Sequence, residues 1–173
     1  MQRSSRGDRA SRVAGASVAR GDILLFLHAD TKLPANADAL IRDGLAQSGR
    51  VWGRFDIRFD QSGIMPLIAV MMNLRSRLSG IATGDQAIFV TRAVFDAVGG
   101  FPAQALMEDI AFSSRMRRIG RPVNMRACVT TSARRWRSQG VLRTVFLMWR
   151  LRLAYFLGAD PAHLARQYGY ADR

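Results

Sequence analysis

Ile23-Leu24-Leu25-Phe26-Leu27 is a continuous apolar run, closed on one side by Gly21-Asp22 and on the other by His28-Ala29-Asp30. An apolar run without polar alternation is the pattern of a parallel strand covered on both faces, although one this short could also be buried helix. The turn residues at both ends favour the strand, and a strand covered on both faces needs helices above and below it. The flanking sequence supplies them. From Arg9 to Arg20 small residues recur (Ala10, Ala14, Gly15, Ala16, Ala19), which suits a helix packed closely on a sheet until Gly21-Asp22 breaks it. Pro34 followed by Asn36 to Gln47 reads as the next helix, so the fold class is α/β.

Further along, Val51 to Phe59 alternates apolar and polar residues, the pattern of a half-buried strand whose polar face carries Arg54 and Arg58. Ile64 to Leu78 is apolar and Met-rich, but Pro66 and Asn73-Leu74-Arg75-Ser76-Arg77 leave it far short of the ~20 apolar residues that span a bilayer. It reads as a helix. Gly84-Asp85-Gln86 is a turn running into the strand Ala87 to Val90, and Ala93 to Val98 is a short helix closed by Gly99-Gly100. Glu108 to Ile119 carries acids at its start and Arg115, Arg117 and Arg118 near its end, as the helix dipole prefers. Val123 to Thr131 is strand-like, and Val141 to Leu157 is a long apolar helix bearing Arg143, Arg150 and Arg152.

No internal repeat or low-complexity linker divides the 173 residues, so one domain over 1–173 is expected, with residues 1–8 disordered and 139–168 forming a C-terminal helical segment. A chain of this size should bury roughly 70% of the surface its unfolded form exposes. Apolar residues are 49% of the chain, which speaks against a disordered tail. The single cysteine, Cys128, cannot form an intramolecular disulfide, and no apolar segment follows the polar N-terminus, so a cytoplasmic location is expected. Twenty-six Lys and Arg against thirteen Asp and Glu give +13. That excess favours anionic partners: nucleotide diphosphates, lipid headgroups or nucleic acid. No pattern of interleaved stacking aromatics supports nucleic acid. An arginine-rich composition without a functional cause would leave the same excess.

Ligands of open α/β sheets bind beyond the carboxyl ends of the strands, and His28-Ala29-Asp30 stands at such an end. Asp30 could hold Mg²⁺ or Mn²⁺ on a substrate phosphate, and His28 suits Mn²⁺ better than Mg²⁺. Equally, Asp30 could cap the next helix and His28 be a loop histidine. Glu108 and Asp109 stand at a helix N-terminus, where the dipole favours the ionised carboxylate a general base needs; simple dipole partners would look the same. Gly84-Asp85-Gln86 offers a tight turn with two side chains able to bind hydroxyls. Arg134-Arg135-Trp136 sets guanidinium groups beside an indole, a combination that could grip a diphosphate or be a solvated basic loop.

Taken together and in order, several segments resemble the family 2 glycosyltransferases of GT-A fold. The likeness is narrower to the bacterial transferase 2 subgroup of the radical-SAM/selenodomain-associated type. They are Ala19-Arg20-Gly21-Asp22 with Leu25 to Thr31, Thr83 to Gln86, Gly99-Gly100-Phe101-Pro102, Leu106 to Asp109, and Thr130-Thr131-Ser132 with Arg134-Arg135-Trp136. The resemblance runs from about Ala14 to Tyr168 and implies a three-layer α/β/α domain with a mixed sheet. Relatives begin with a strand-helix-strand portion that has no counterpart before Arg9, so the domain is expected to be partial. By the resemblance, Asp30 is the metal-binding acid of a DxD-like motif and His28 stands where relatives carry the first Asp. Asp109 is then the catalytic base. Gly84, Asp85, Gln86 and Glu108 line the sugar or acceptor pocket, and Arg135 and Trp136 stand near the diphosphate.

The function implied is an inverting, metal-dependent transfer of a sugar from a nucleotide-diphosphate donor to a hydroxyl acceptor, with lipids among the candidate acceptors. The competing reading is an inactive remnant or a non-enzymatic basic module resting on anionic membrane at the inner face, by way of the Arg-bearing helix from Val141 to Leu157. That helix could instead dock on the sheet as core.

Overall fold

The computed structural model describes residues 15–169; the expected disordered segment 1–8 and the first part of the helix expected from Arg9 lie outside the described residues. Residues 15–18 are helical. Five strands follow as β1 (Ile23–Phe26), β2 (Thr31–Lys32), β3 (Trp52–Phe59), β4 (Ile88–Thr91) and β5 (Val123–Thr131). The helices are α1 (Ala37–Ser48), α2 (Met65–Ser79), α3 (Arg92–Ala97), α4 (Glu108–Ile119), α5 (Arg134–Gln139), α6 (Val141–Phe156) and α7 (Pro161–Gln167), with a 3₁₀ turn at Gly84–Gln86. The strands form one mixed sheet in the order β1-β4-β3-β5-β2. Only β3 and β5 pair in parallel; β1 with β4, β4 with β3 and β2 with β5 are antiparallel.

That order corrects the reading of Ile23 to Leu27 as a parallel strand. The run forms an edge strand antiparallel to β4, with Ile23 opposite Thr91 and Phe26 opposite Ile88. Its unbroken apolarity has a different cause. Leu24, Ile88 and Val90 join a cluster with Phe95, Phe101, Phe112 and Met116 of the α3 to α4 region. Ile23, Leu25 and Phe89 join another with Ala37, Ile41 and Leu45 of α1. Successive strand residues point to opposite faces, so the sheet is covered by helices on both sides even at this edge.

The half-buried reading of Val51 to Phe59 is also corrected, because β3 is central and its polar face is buried under α2. Arg54 is 0% exposed and Asp56 9%. The Arg54 guanidinium donates to Asp56, to Asn124 Oδ1 at 3.0 Å, and to the carbonyls of Phe55 and Asn73 at 3.2 Å. Arg77 of α2 donates to the other Asp56 oxygen, and the Asn73 amide closes both backbone groups of Ile57 at 2.9 and 3.0 Å. A buried charge must be paired, and this network pairs it while fixing α2 on the strand. Burial lowers the Arg54 pKa, and Asp56 opposes that shift.

Because β1, β3 and β5 run in one direction, their carboxyl ends lie along one edge of the sheet. Residues 27–30 carry the chain from β1 at one side of the sheet to β2 at the other, along that edge. There Thr31 Oγ1 donates to Thr131 Oγ1 at 3.2 Å. The Gly84–Gln86 turn enters β4 from the same edge, since Ile88 pairs with Phe26.

Candidate active site

The turn at Gly84–Gln86 is held from within. The Thr83 N–H donates to Gln86 Oε1 at 3.1 Å, and the Gln86 N–H donates back to the Thr83 carbonyl at 2.9 Å. Gln86 is wholly buried, and its Nε2 has no hydrogen-bond partner among the described residues. Its amide therefore shapes the turn from behind instead of lining an open pocket. Ala87 leaves the turn with φ 48°, a left-handed conformation costly for a residue with a Cβ. Gly84 lets the ring of His28 lie against the turn: a Cβ built there would meet His28 Nε2, and the ring would have to move.

Asp109 reaches this turn from α4. Its Oδ2 accepts the Gly84 N–H at 2.8 Å and its Oδ1 accepts the Ile110 N–H at 2.7 Å. The residue before the acidic pair, Met107, is buried and caps the helix at φ 64°. A second left-handed non-glycine position thus adjoins the carboxylates. Strain of this kind, about 1–3 kcal/mol each, persists only where surrounding structure imposes it. Leu106, Met107 and Ile110 are locked into a cluster with Leu151 and Leu164, which imposes it here.

On the other side of the turn His28 Nδ1 lies 3.4 Å from Asp85 Oδ1, with the two side chains 29% and 44% exposed. Three chain segments expected to share a site thus meet: the β1 end through His28, the turn through Gly84 and Asp85, and the α4 start through Asp109. Asp30 is exposed on the turn two residues beyond His28, and Glu108 is half-buried at the first position of α4. Among the described residues no three His, Cys, Asp or Glu side chains are grouped to hold a metal by themselves. The His28 ring is turned to Asp85 through Nδ1 and to the Gly84 backbone through Nε2.

The basic segment after β5 is helical, not the solvated loop that stood as the alternative to a diphosphate grip. Residues 134–139 form α5, and Trp136 packs edge-on against Phe59 with ring centroids 5.8 Å apart, beside Met65 and Ile68. That indole is used in packing. The Arg135 side chain lies outside the described residues.

Two arginines that sequence reasoning left aside belong to the site electrostatically. Arg75 of α2 is pushed down to about 10 by burial and by Arg152, with Asp109 and Asp85 opposing. Arg152 of α6 is lowered by burial, opposed by Asp109, Asp85 and Tyr168. The signal was present: both interrupt apolar helices, next to Ser76 and Leu151, which are themselves buried. Comparison with protein-family models, curated proteins and solved structures gives no match.

Proposed function

We propose that the chain is an inverting glycosyltransferase of GT-A type, moving a sugar from a nucleotide-diphosphate donor to a hydroxyl acceptor. The observation that carries this reading is the convergence of His28, Gly84-Asp85 and Asp109 at the carboxyl edge of a mixed sheet covered by helices on both faces. Open α/β sheets bind ligands at that edge.

In this reading Asp109 takes the proton of the acceptor hydroxyl as its oxygen attacks the anomeric carbon. The bond from that carbon to the nucleoside diphosphate breaks, and one displacement inverts configuration. Each Asp109 oxygen accepts a single peptide N–H, and a carboxylate oxygen has a second lone pair for the incoming proton. Asp85 and Glu108 offer acceptors to substrate hydroxyls, and the Gly84 backbone fixes the base. Asp30 and His28 would hold Mn²⁺ or Mg²⁺, which supplies positive charge to the departing diphosphate. The deciding measurement is sugar transfer, or nucleotide-sugar hydrolysis, with Mn²⁺. A general base of this kind contributes about 10²–10⁴-fold, so Asp109→Asn should lose activity on that scale. Equal turnover in the variant removes Asp109 from the role.

A second reading, the non-enzymatic module on anionic membrane, is favoured by one observation: α6 exposes Leu142, Phe146, Trp149, Leu153 and Phe156 along one face. No helix among the described residues is long and apolar enough to cross a membrane. A binding-only module would float with liposomes and show no metal-dependent affinity for a nucleoside diphosphate.

A further inference from the structure

At the edge of the sheet opposite the candidate active site, the parallel strands β3 and β5 begin side by side, with Gly53 opposite Val123 and Arg54 opposite Asn124. The C-terminal ends of α2 and α4 meet there around a cleft of about 120 Å³, whose lining includes Arg50, Arg77, Gly80, Arg117, Arg121 and Asn124. The surface it exposes is mostly polar. Three of the four guanidinium groups are placed by contacts of their own. Arg77 donates to Asp56, and Arg50 Nη1 donates to the Pro122 carbonyl. The Arg117 stem lies over Gly80, where a Cβ would come within 3.1 Å of its Cδ. Arg117 and Arg121 have no carboxylate within ion-pair distance and no hydrogen-bond partner among the described residues. Asn124 Oδ1 accepts from Arg54 Nε, while its Nδ2 has no partner among the described residues.

Arginines in the last turn of a helix often do no more than complement its dipole, and each helix end is worth about half a negative charge. Two such ends call for about one positive charge, and four arginines stand here. The Arg54–Asp56 pair is neutral in itself, so the cleft keeps an excess of about three positive charges. We propose that it binds a free, small, doubly charged tetrahedral oxyanion such as inorganic phosphate, held by Arg117, Arg121 and Asn124 with Arg50 and Arg77 behind them. Guanidinium forks match the oxygens of such an ion two at a time. Size limits the ligand: the cleft is well below the ~300 Å³ at which pockets enclose drug-sized molecules. The eight residues of β3 span about 26 Å at ~3.3 Å each, so this site is separate from the one at the carboxyl edge and independent of any sugar transfer.

Calorimetric titration of the full chain with sodium phosphate tests it, at an ionic strength held constant with sodium chloride. One saturable site is expected, which nitrate, a planar monoanion, does not fill. Arg117→Gln and Arg121→Gln should each weaken phosphate binding about tenfold, the loss of one charge-assisted hydrogen bond. Arg118→Gln removes the same charge from the same helix end but outside the cleft, and should leave the affinity unchanged. A second measurement needs no variant. Phosphate should protect Arg117 and Arg121 of the wild-type chain from phenylglyoxal, an arginine-selective reagent, while Arg118 is modified at an undiminished rate. Absence of saturable binding would overturn the proposal. So would nitrate binding as tight as that of phosphate, equal losses in Arg117→Gln and Arg118→Gln, or equal protection of Arg118, because total charge and not the cleft would then hold the ion.

Discussion

The peptide N–H of Gly84 donates to Asp109 Oδ2 at 2.8 Å, while the same residue leaves no room for a Cβ beside the His28 ring. One glycine therefore sets the distance between the β1 end and the α4 start. Gly84→Ala must displace either the imidazole or the turn, and a turn that moves releases Asp109. In the transferase reading, a shift of about 1 Å at the reacting groups costs about 10²-fold in rate. The expected outcome is a loss of that order in transfer activity. Heat capacity scans should show only a modest fall in Tm, because the His28 ring is the atom group in the way and it is partly exposed.

The buried network under α2 predicts a stability effect away from the site. Asp56 accepts from both Arg54 and Arg77, and Arg54 is fully buried. Asp56→Asn keeps the shape and removes the charge, leaving a buried guanidinium uncompensated. Breaking such a pair costs about 3–5 kcal/mol. Arg77→Gln should cost less, since its side chain is 32% exposed and Arg54 keeps its carboxylate partner. Urea unfolding midpoints of the two variants check the ranking. A larger effect from Arg77→Gln would show that Arg77, and not Arg54, governs the network.

How far the fold was legible depended on whether the pattern was local. Glu108 to Ile119 and Val123 to Thr131 were legible to the residue, because charge placement and a β-branched run sit inside each element. The direction of β1 was not, because an edge strand whose two faces feed two clusters looks the same as a central parallel one. Burial of Arg54 was hidden for a related reason: alternation on β3 assigns a polar face but not the helix that covers it. Two left-handed residues, Ala87 and Met107, carry no sequence mark, since neither is glycine or asparagine. Resemblance and turn chemistry singled out His28, Asp85 and Asp109, and the structure brings the three close together, whereas Arg75 and Arg152 read only as interruptions of apolar helices. Their significance lies in three dimensions, where burial lowers their pKa and the charges of Asp109 and Asp85 oppose that shift.

Cys128 gives a chemical readout of the same core. Burial raises the thiol pKa and Asp56 adds to the rise, against Arg58, Arg77 and Arg54. Only the thiolate is alkylated, so at pH 8 iodoacetamide should react more slowly with Cys128 than with an ordinary thiol of pKa about 8.5. The rate should keep climbing with pH beyond the point where the ordinary thiol levels off. A profile that levels off at the ordinary value would show that burial and Asp56 do not outweigh the three arginines at the sulfur.

Arg75 allows the electrostatics beside the candidate site to be read by substitution with lysine. Burial and Arg152 push its guanidinium down to about 10, with Asp109 and Asp85 opposing, so it stays charged throughout the neutral range. The same burial acts on a lysine, whose pKa starts lower than that of arginine, so the folded-state pKa of Arg75→Lys should lie below that of the unfolded chain. Between those two values the unfolded variant binds more protons than the folded one, so its stability rises with pH across that window. Urea unfolding of Arg75→Lys at pH 7 and again at about pH 9.5 should show the gain, with wild type nearly unchanged. A variant whose stability is flat over that range would place residue 75 in contact with water.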